Sequence, residues 1–331
     1  MAGDSFESLR ARRSDLIADV LEKAEGKRPD IIAMTLAAGG NSRETWIFTV
    51  AESGGQRAMV FRCDPDHWIR EEEMKTEIAG LTLANRAGVP APQLLYSSAM
   101  INVGRPFVIT SVVGGTTIPK RVIREDAFAP ARQSFAADCG RILAALHTAV
   151  EFSAGWQTID PVADLEGHRA KVGFRSPVLE GALSWLVRNR PSPIPLRPAH
   201  RDFRLGNLMI SETGIVAVLD WETCGLSDPH EDLAWLCSRA WRYGGGNPVG
   251  GIGTLHDLIE SYEYHSGQKI DPVRLHWWRG LAATRWGFAS AARPRGSAGG
   301  AGIEEAAIAR QVCRQEYNVL LELKDSGGAT A

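Results

Sequence analysis

One stretch constrains this chain more than any other: PAHRDFRLGNLMISETGIVAVLDWE, residues 198–222. Asp202 stands five residues before Asn207, and Asp220 comes thirteen residues after Asn207. Between them lie two short apolar runs, LMIS and IVAVLD, on either side of a Glu-Thr-Gly turn. Runs of this kind about a Gly-containing turn read as a β-hairpin. A hairpin of this length can return Asp220 close to Asn207. A carboxylate at Asp202 can accept a proton from a hydroxyl. The amide oxygen of Asn207 and a carboxylate oxygen of Asp220 suit Mg²⁺, which prefers oxygen ligands. A base beside two such ligands is what metal-assisted phosphoryl transfer needs.

Asp and Asn are also common in turns, and an isolated H-x-D says little. The combination of H-R-D, Asn at +5, a hairpin pattern and a terminal Asp is far more specific. Protein kinases use the same three side chains, although here Asp220 is followed by Trp221 and Glu222 instead of Phe-Gly. His200 is expected to pack and to hold the loop by hydrogen bonds. Arg201 and Arg204 could screen phosphate charge, with solvent exposure as the default for both.

At 331 residues the chain exceeds one small core and implies two lobes. A hydrophobic content of 44% excludes wholesale disorder, and a net charge of −2 gives no basic field for nucleic acid. No run of eighteen apolar residues predicts a membrane span, and the mixed charges of the first 26 residues do not read as a signal peptide. Five scattered cysteines without a C-x-x-C pair suggest reduced thiols in a cytoplasmic protein.

The pattern along the chain predicts a charged amphipathic helix over 5–25, then strands at 31–37, 45–50 and 57–63 with a turn at 53–55. A helix over 70–86 is stopped by GVPAP, and two more strands come next, around a turn at 102–105. After Gly114–Gly115 the character turns helical from about Ala129, and RPRGSAGGAG at 293–302 reads as a flexible loop. The expected architecture is therefore α+β and bilobal. A small five-stranded antiparallel lobe (1–113) binds nucleotide, and a larger, mainly helical lobe (114–331) carries the catalytic loop and acceptor pocket.

A phosphoryl donor needs a second set of groups. Gly39, Gly40, Asn41 and Ser42 lie between two predicted strands, where backbone N–H groups and a hydroxyl can approach phosphate oxygens. The same residues would also make an ordinary hairpin turn. Arg62 ends the next strand and can reach phosphates as a bidentate cation. Glu77, on the following helix, is the favoured partner for Arg62. Glu71, Glu72 and Glu73 read as a solvated acidic face.

In order, GGNSRETW, MVFR, GVPAP, VITSVVGG, LAALH, HRDFRLGNLMI, VLDWE and DPHEDLAWL resemble the aminoglycoside phosphotransferase (APH)-like kinases over roughly residues 30–290. The similarity is to the branch resembling the kinase domain of acyl-CoA dehydrogenase fusion proteins. It implies a protein-kinase-like fold, ATP as donor and Mg²⁺ as metal. It makes Asp202 the base, Asn207 and Asp220 the metal ligands, and Arg62 with Glu77 the phosphate anchor. A hinge near Ser111–Val113 would hold adenine, and Asp232 would be structural. The chain departs from the family pattern at H-R-D, where H-G-D is usual, and at Arg62, where many relatives have Lys.

Such a family fixes the reaction better than the acceptor. From Leu233 onward the chain has nine acids and eleven bases, a balance unsuited to a polycationic aminoglycoside. The same region is rich in Trp, which suggests an acceptor hydroxyl on an apolar or aromatic body. Trp241 and Trp278 are candidate contacts, together with Arg204, Glu222 and Arg285. Adjacency of Trp277 and Trp278 suggests that one ring is available to a ligand. The competing readings are an antibiotic-resistance kinase and a catalytically silent kinase-like regulator. A homodimer is left open.

Overall fold

The computed structural model describes residues 6–37, 43–150, 156–293 and 307–324. They divide into two compact units. One runs to Gly114 and takes back Ala217–Thr223; the other comprises Gly115–Val216 and the chain from Cys224. This differs from a single cut near residue 113. The segment carrying Asp220 belongs with the sheet, because Val218 N–H donates to Pro90 O (2.8 Å) and the turn at Trp221–Thr223 packs on the helix before Pro90.

The first unit contains α1 (Phe6–Glu25), β1 (Ile31–Leu36), β2 (Glu44–Glu52), β3 (Gly55–Cys63), α2 (Glu71–Ala87), β4 (Leu94–Ser97) and β5 (Phe107–Ser111). The strands form one antiparallel sheet in the order β1-β2-β3-β5-β4. Alternate residues Trp46, Phe48 and Val50 of β2 and Met59, Phe61 and Cys63 of β3 share the buried face. The period of two in a strand makes this alternation. Ile17, Val20 and Leu21, at helical spacing on α1, close the core from above. Burial of each large side chain is worth roughly 1.5–3 kcal/mol. The helix α2 stops at Gly88, whose φ of 70° lets its N–H reach Ala84 O.

The second unit contains α3 (Pro119–Arg124), α4 (Ala129–His147), α5 (Pro161–Ala170), α6 (Pro177–Arg188), β6 (Arg197–Ala199), β7 (Leu208–Ser211) and β9 (Gly225–Ser227). It continues with α7 (His230–Cys237), α8 (Leu255–Ser266), α9 (Pro272–Ala291) and α10 (Val312–Lys324). The strand β8 (Gly214–Val218) pairs with β7 and hands the chain to the first unit at Ala217. Asp160, Ser176, Thr254 and Asp271 cap the helices they precede by accepting from backbone N–H groups. The contact of α4 with α8 is backbone to backbone: a Cβ on Gly140 would lie 2.6 Å from Leu258 O.

Cys63, Cys139, Cys224 and Cys237 are buried cysteines, and Cys313 is exposed. No helix among the described residues is long and apolar enough to cross a membrane. Beyond Arg293, the loop expected at 293–302 lies outside the described residues.

Candidate active site

In the second unit, β6 pairs antiparallel with β9 and delivers the chain to His200. Asp232, in the first turn of α7, is fully buried and anchors the backbone at this point. It accepts from the backbone N–H of His200 (2.8 Å) and of Arg201 (2.7 Å), and pairs with His147 Nε2 at 3.1 Å. Burial alone would raise this carboxyl; His147 and the backbone donors outweigh it and hold the group below its usual range. His147 Nδ1 lies 3.0 Å from the Tyr262 hydroxyl. These contacts hold Arg201 at φ 65°, in the left-handed region. His200 is buried, and its Nδ1 accepts from the N–H of Asp202 at 3.2 Å. The histidine therefore shapes the loop.

The Asp202 carboxylate is bound from three sides. Asn207 Nδ2 donates to Oδ2 (2.7 Å), Trp235 Nε1 donates to Oδ1 (2.7 Å), and Arg204 Nε lies 3.1 and 3.2 Å from the two oxygens. Asn207 also gives its amide N–H to Asp202 O (3.0 Å), so both bonds to Asp202 use the amide nitrogen and neither uses the amide oxygen. The Arg204 guanidinium lies over the Trp241 ring at 4.8 Å and 3.4 Å from the Tyr243 hydroxyl. A Cβ at Gly206 would lie 2.5 Å from Arg204 Nη1 and 3.0 Å from the Tyr243 hydroxyl, so glycine leaves room for this fold-back. Trp241 packs between Trp235 and Trp286, with ring centroids at 5.4 and 4.7 Å.

The first unit assembles a second charged cluster. Arg62, on β3, donates to Glu77 Oε1 at 2.5 Å and to Asp220 Oδ1 at 3.5 Å. Burial would lower the Arg62 guanidinium, but Glu77, Asp220 and Glu222 outweigh it and raise it above the ordinary value. Glu77 is also paired with Arg43. Arg43 Nε lies 3.2 Å from Asp64 Oδ1 and 3.5 Å from Glu222 Oε2. Arg70 Nη2 donates to Asp64 at 2.9 Å. Three arginines thus face four carboxylates, and one negative charge is in excess. Burial, then the charge of Asp220, pushes the Glu222 carboxyl up, and its buried Oε2 has no hydrogen-bond partner among the described residues. Asp220 sits at φ 66°. Arg201, Asp220 and Tyr243 are the non-glycine residues with positive φ among the described residues, and all three belong to these two clusters. Backbone strain of this kind concentrates at functional sites.

Not every expected contact is where the sequence suggested. Gly39, Gly40, Asn41 and Ser42 lie outside the described residues. Ser111 ends β5, its hydroxyl accepting from Gln93 N–H at 2.9 Å, and Val113 lies just beyond the sheet, half-buried. Glu222 stands in the arginine cluster of the first unit, beside Arg43 and Arg70. Arg204 is engaged with Asp202 and is not an exposed arginine. Arg285 is buried and already neutralised, by Glu231 (2.8 Å) and Asp164 (3.2 Å), so it offers no spare cation. Trp277 and Trp278 are both buried, at 3% and 4% exposure, and both line a cavity together with Leu226 and Arg274. Their rings meet edge to face at 5.2 Å. The helix α9 packs against α5, α6, α7 and α10. Arg43, Trp235 and Tyr243 were not singled out from the sequence. Trp235 and Tyr243 carry a signal only as members of the aromatic-rich region after Leu233, and Trp235 also by its place in the DLAW run that begins at Asp232.

A model of the APH phosphotransferase enzyme family matches residues 33–267. The chain belongs to this family. A curated relative, acyl-CoA dehydrogenase family member 10 of Mus musculus, is 25% identical over 219 residues, which are 60% of this chain and 19% of that protein. The chain therefore spans about a fifth of that relative's length. Among solved structures, a choline/ethanolamine kinase family protein from Mesorhizobium loti has a TM-score of 0.62 at 16% identity, covering 96% of this chain and 98% of that one. The choline kinase LicA from Streptococcus pneumoniae has a TM-score of 0.60 at 12% identity, covering 94% and 99%. An aminoglycoside phosphotransferase, APH(4)-Ia, in ternary complex with AMP-PNP and hygromycin B, has a TM-score of 0.60 at 14% identity, covering 95% and 99%. At these identities the likeness is one of fold: the α+β, bilobal, protein-kinase-like architecture.

Proposed function

We propose that the protein transfers the γ-phosphate of ATP to a hydroxyl of a small molecule with an apolar or aromatic body. The observation that carries this reading is the Asp202 carboxylate, held by Asn207, Trp235 and Arg204 beside the Trp241–Tyr243 aromatic group in a chain of the phosphotransferase family. The acceptor oxygen attacks the γ-phosphorus, the bond to the β-phosphate oxygen breaks, and ADP leaves. Asp202 takes the hydroxyl proton. General-base help of this kind is worth on the order of 10²–10⁴ in rate.

Arg62 would hold donor phosphates as a bidentate cation, with Glu77 fixing its direction. The glycine-rich residues Gly39–Ser42 and the backbone at Ser111 and Val113 are proposed contacts of the nucleotide. Mg²⁺ would neutralise developing phosphate charge and is proposed to use the Asn207 oxygen and Asp220. The donor set fits the ion. Mg²⁺ is held by one or two carboxylate-type ligands plus phosphates, and the Asp220 cluster carries one negative charge more than its arginines balance. The Trp241 and Tyr243 rings, with Arg204 stacked between them and the base, give the acceptor an aromatic seat.

The test is ATP consumption by the purified protein with Mg²⁺ across alcohols, phenols, hydroxy acids, sugars, choline and aminoglycosides, with Asp202→Ala as control. Turnover that vanishes in the variant supports the assignment. Phosphorylation of aminoglycosides alone would overturn the apolar-acceptor reading, and absence of nucleotide binding would overturn the whole.

A further inference from the structure

Arg43 comes directly after Gly39–Ser42 in sequence and precedes β2, and its side chain is completely buried. A buried guanidinium is costly unless compensated. Here its Nη1 donates to Glu77 Oε2 and its Nε faces Asp64 at 3.2 Å. The other oxygen of Glu77 takes Arg62. One carboxylate, 1% exposed, is thus divided between two arginines, one just before β2 and one near the end of β3.

That sharing has a consequence for Arg62. If Glu77 had Arg62 alone, any turn of Arg62 toward a phosphate would strip a buried carboxylate of its only cation. Breaking a buried pair in this way is strongly unfavourable. With Arg43 in place, Glu77 stays compensated on Oε2 while Arg62 moves. Asp64 is occupied by Arg70 as well, through both Nη2 and the backbone N–H (2.9 and 2.7 Å), so Asp64 does not depend on Arg62 for a cation and does not draw Arg43 away from Glu77.

We propose that Arg43 is a positioning residue that keeps Glu77 neutralised and so frees Arg62 to bind the phosphates of the nucleotide. This rests on the phosphotransferase reading. Arg43 acts through Glu77 and touches no reacting atom.

The experiment is a double-mutant cycle on the full chain, read as the dissociation constant of Mg·ATP by titration calorimetry. In the wild-type background Arg43→Met is expected to weaken binding about tenfold or more, and Arg43→Lys, which restores a cation, to recover most of it. In the Glu77→Gln background, where no charge remains on Glu77 to be stranded, Arg43→Met is expected to change binding less than about twofold. Equal losses in both backgrounds would mean that Arg43 is only a packing element, and that result overturns the inference while leaving the function intact. If Arg43→Met does not fold, Arg43→Lys and the Glu77→Gln pair still decide the matter. A wild-type protein that binds no Mg·ATP overturns the phosphotransferase reading and this inference with it.

Discussion

Replacing Asp232 by Asn tests how the loop that carries Asp202 is held. The carboxylate is fully buried and accepts from two backbone N–H groups and His147. Asn keeps one oxygen. Its NH₂ must face either His200 N–H or Arg201 N–H, leaving a buried donor opposite a donor, at about 1–3 kcal/mol. The remaining contacts lose their charge assistance, and the total cost is roughly 3–5 kcal/mol, that of breaking a buried ionic site. At about 2–4 °C per kcal/mol for a unit of this size, the melting temperature should fall by roughly 6–20 °C. Turnover should fall further than stability alone explains. Arg201 loses the contact that holds its φ of 65°, and Asp202 is the next residue. The sign with pH is set by the lowered carboxyl. Its stabilisation is present at neutral pH and is lost as pH falls through the folded-state value, so the gap between wild type and variant narrows in acid. Scanning calorimetry at neutral and acid pH measures both. A melting temperature within about 2 °C of wild type at neutral pH, with full turnover, would refute the reasoning.

Four other substitutions separate the roles. Asp202→Ala should keep Mg·ATP binding and lose on the order of 10²–10⁴ in turnover; near-normal turnover removes the base assignment. Asp220→Ala should abolish the Mg²⁺ dependence of nucleotide binding in a titration, and unchanged binding would exclude it as a ligand. Trp235→Phe deletes the donor to Asp202 Oδ1 and should cost about 10–100-fold in kcat with the KM for ATP unchanged, so a rise in KM alone would count against it. Burial would raise Asp228, but His230 and Arg274 outweigh it and hold the carboxyl at about 2. Its stabilisation, about 2 kcal/mol, is therefore nearly complete above about pH 4 and fades as pH falls toward about 2. Urea midpoints for wild type and Asp228→Asn should converge over that window, and a constant difference would contradict the pairing.

How much of the structure is legible in the sequence depends on range. The sheet of the first unit reads directly because alternation and turn residues act between neighbours: Trp46, Phe48 and Val50 share a buried face through the period of two that only a strand has. The H-R-D, Asn and Asp spacing reads for the same reason, being carried by one loop and one hairpin. Arg43, 34 residues from Glu77, and Trp235, 33 residues from Asp202, have no local period, and only the closed chain brings them to their partners. Charge is the least legible of all. Counting bases after Leu233 leaves Arg274, Arg279 and Arg285 as if free. In the structure Arg274 is spent on Asp228, Arg279 on Glu322, and Arg285 on Glu231 and Asp164. Asp164, Asp228 and Glu231 precede the counted region, so a regional sum of charge could not have found them. On the proposed function, it is therefore the aromatic side chains around Arg204, more than any net charge, that would select the acceptor. Trp241→Ala should then discriminate among acceptors by their apolar bodies, whereas Arg285→Met should act mainly on stability. Loss of selectivity from Arg285→Met at unchanged melting temperature would reverse that conclusion.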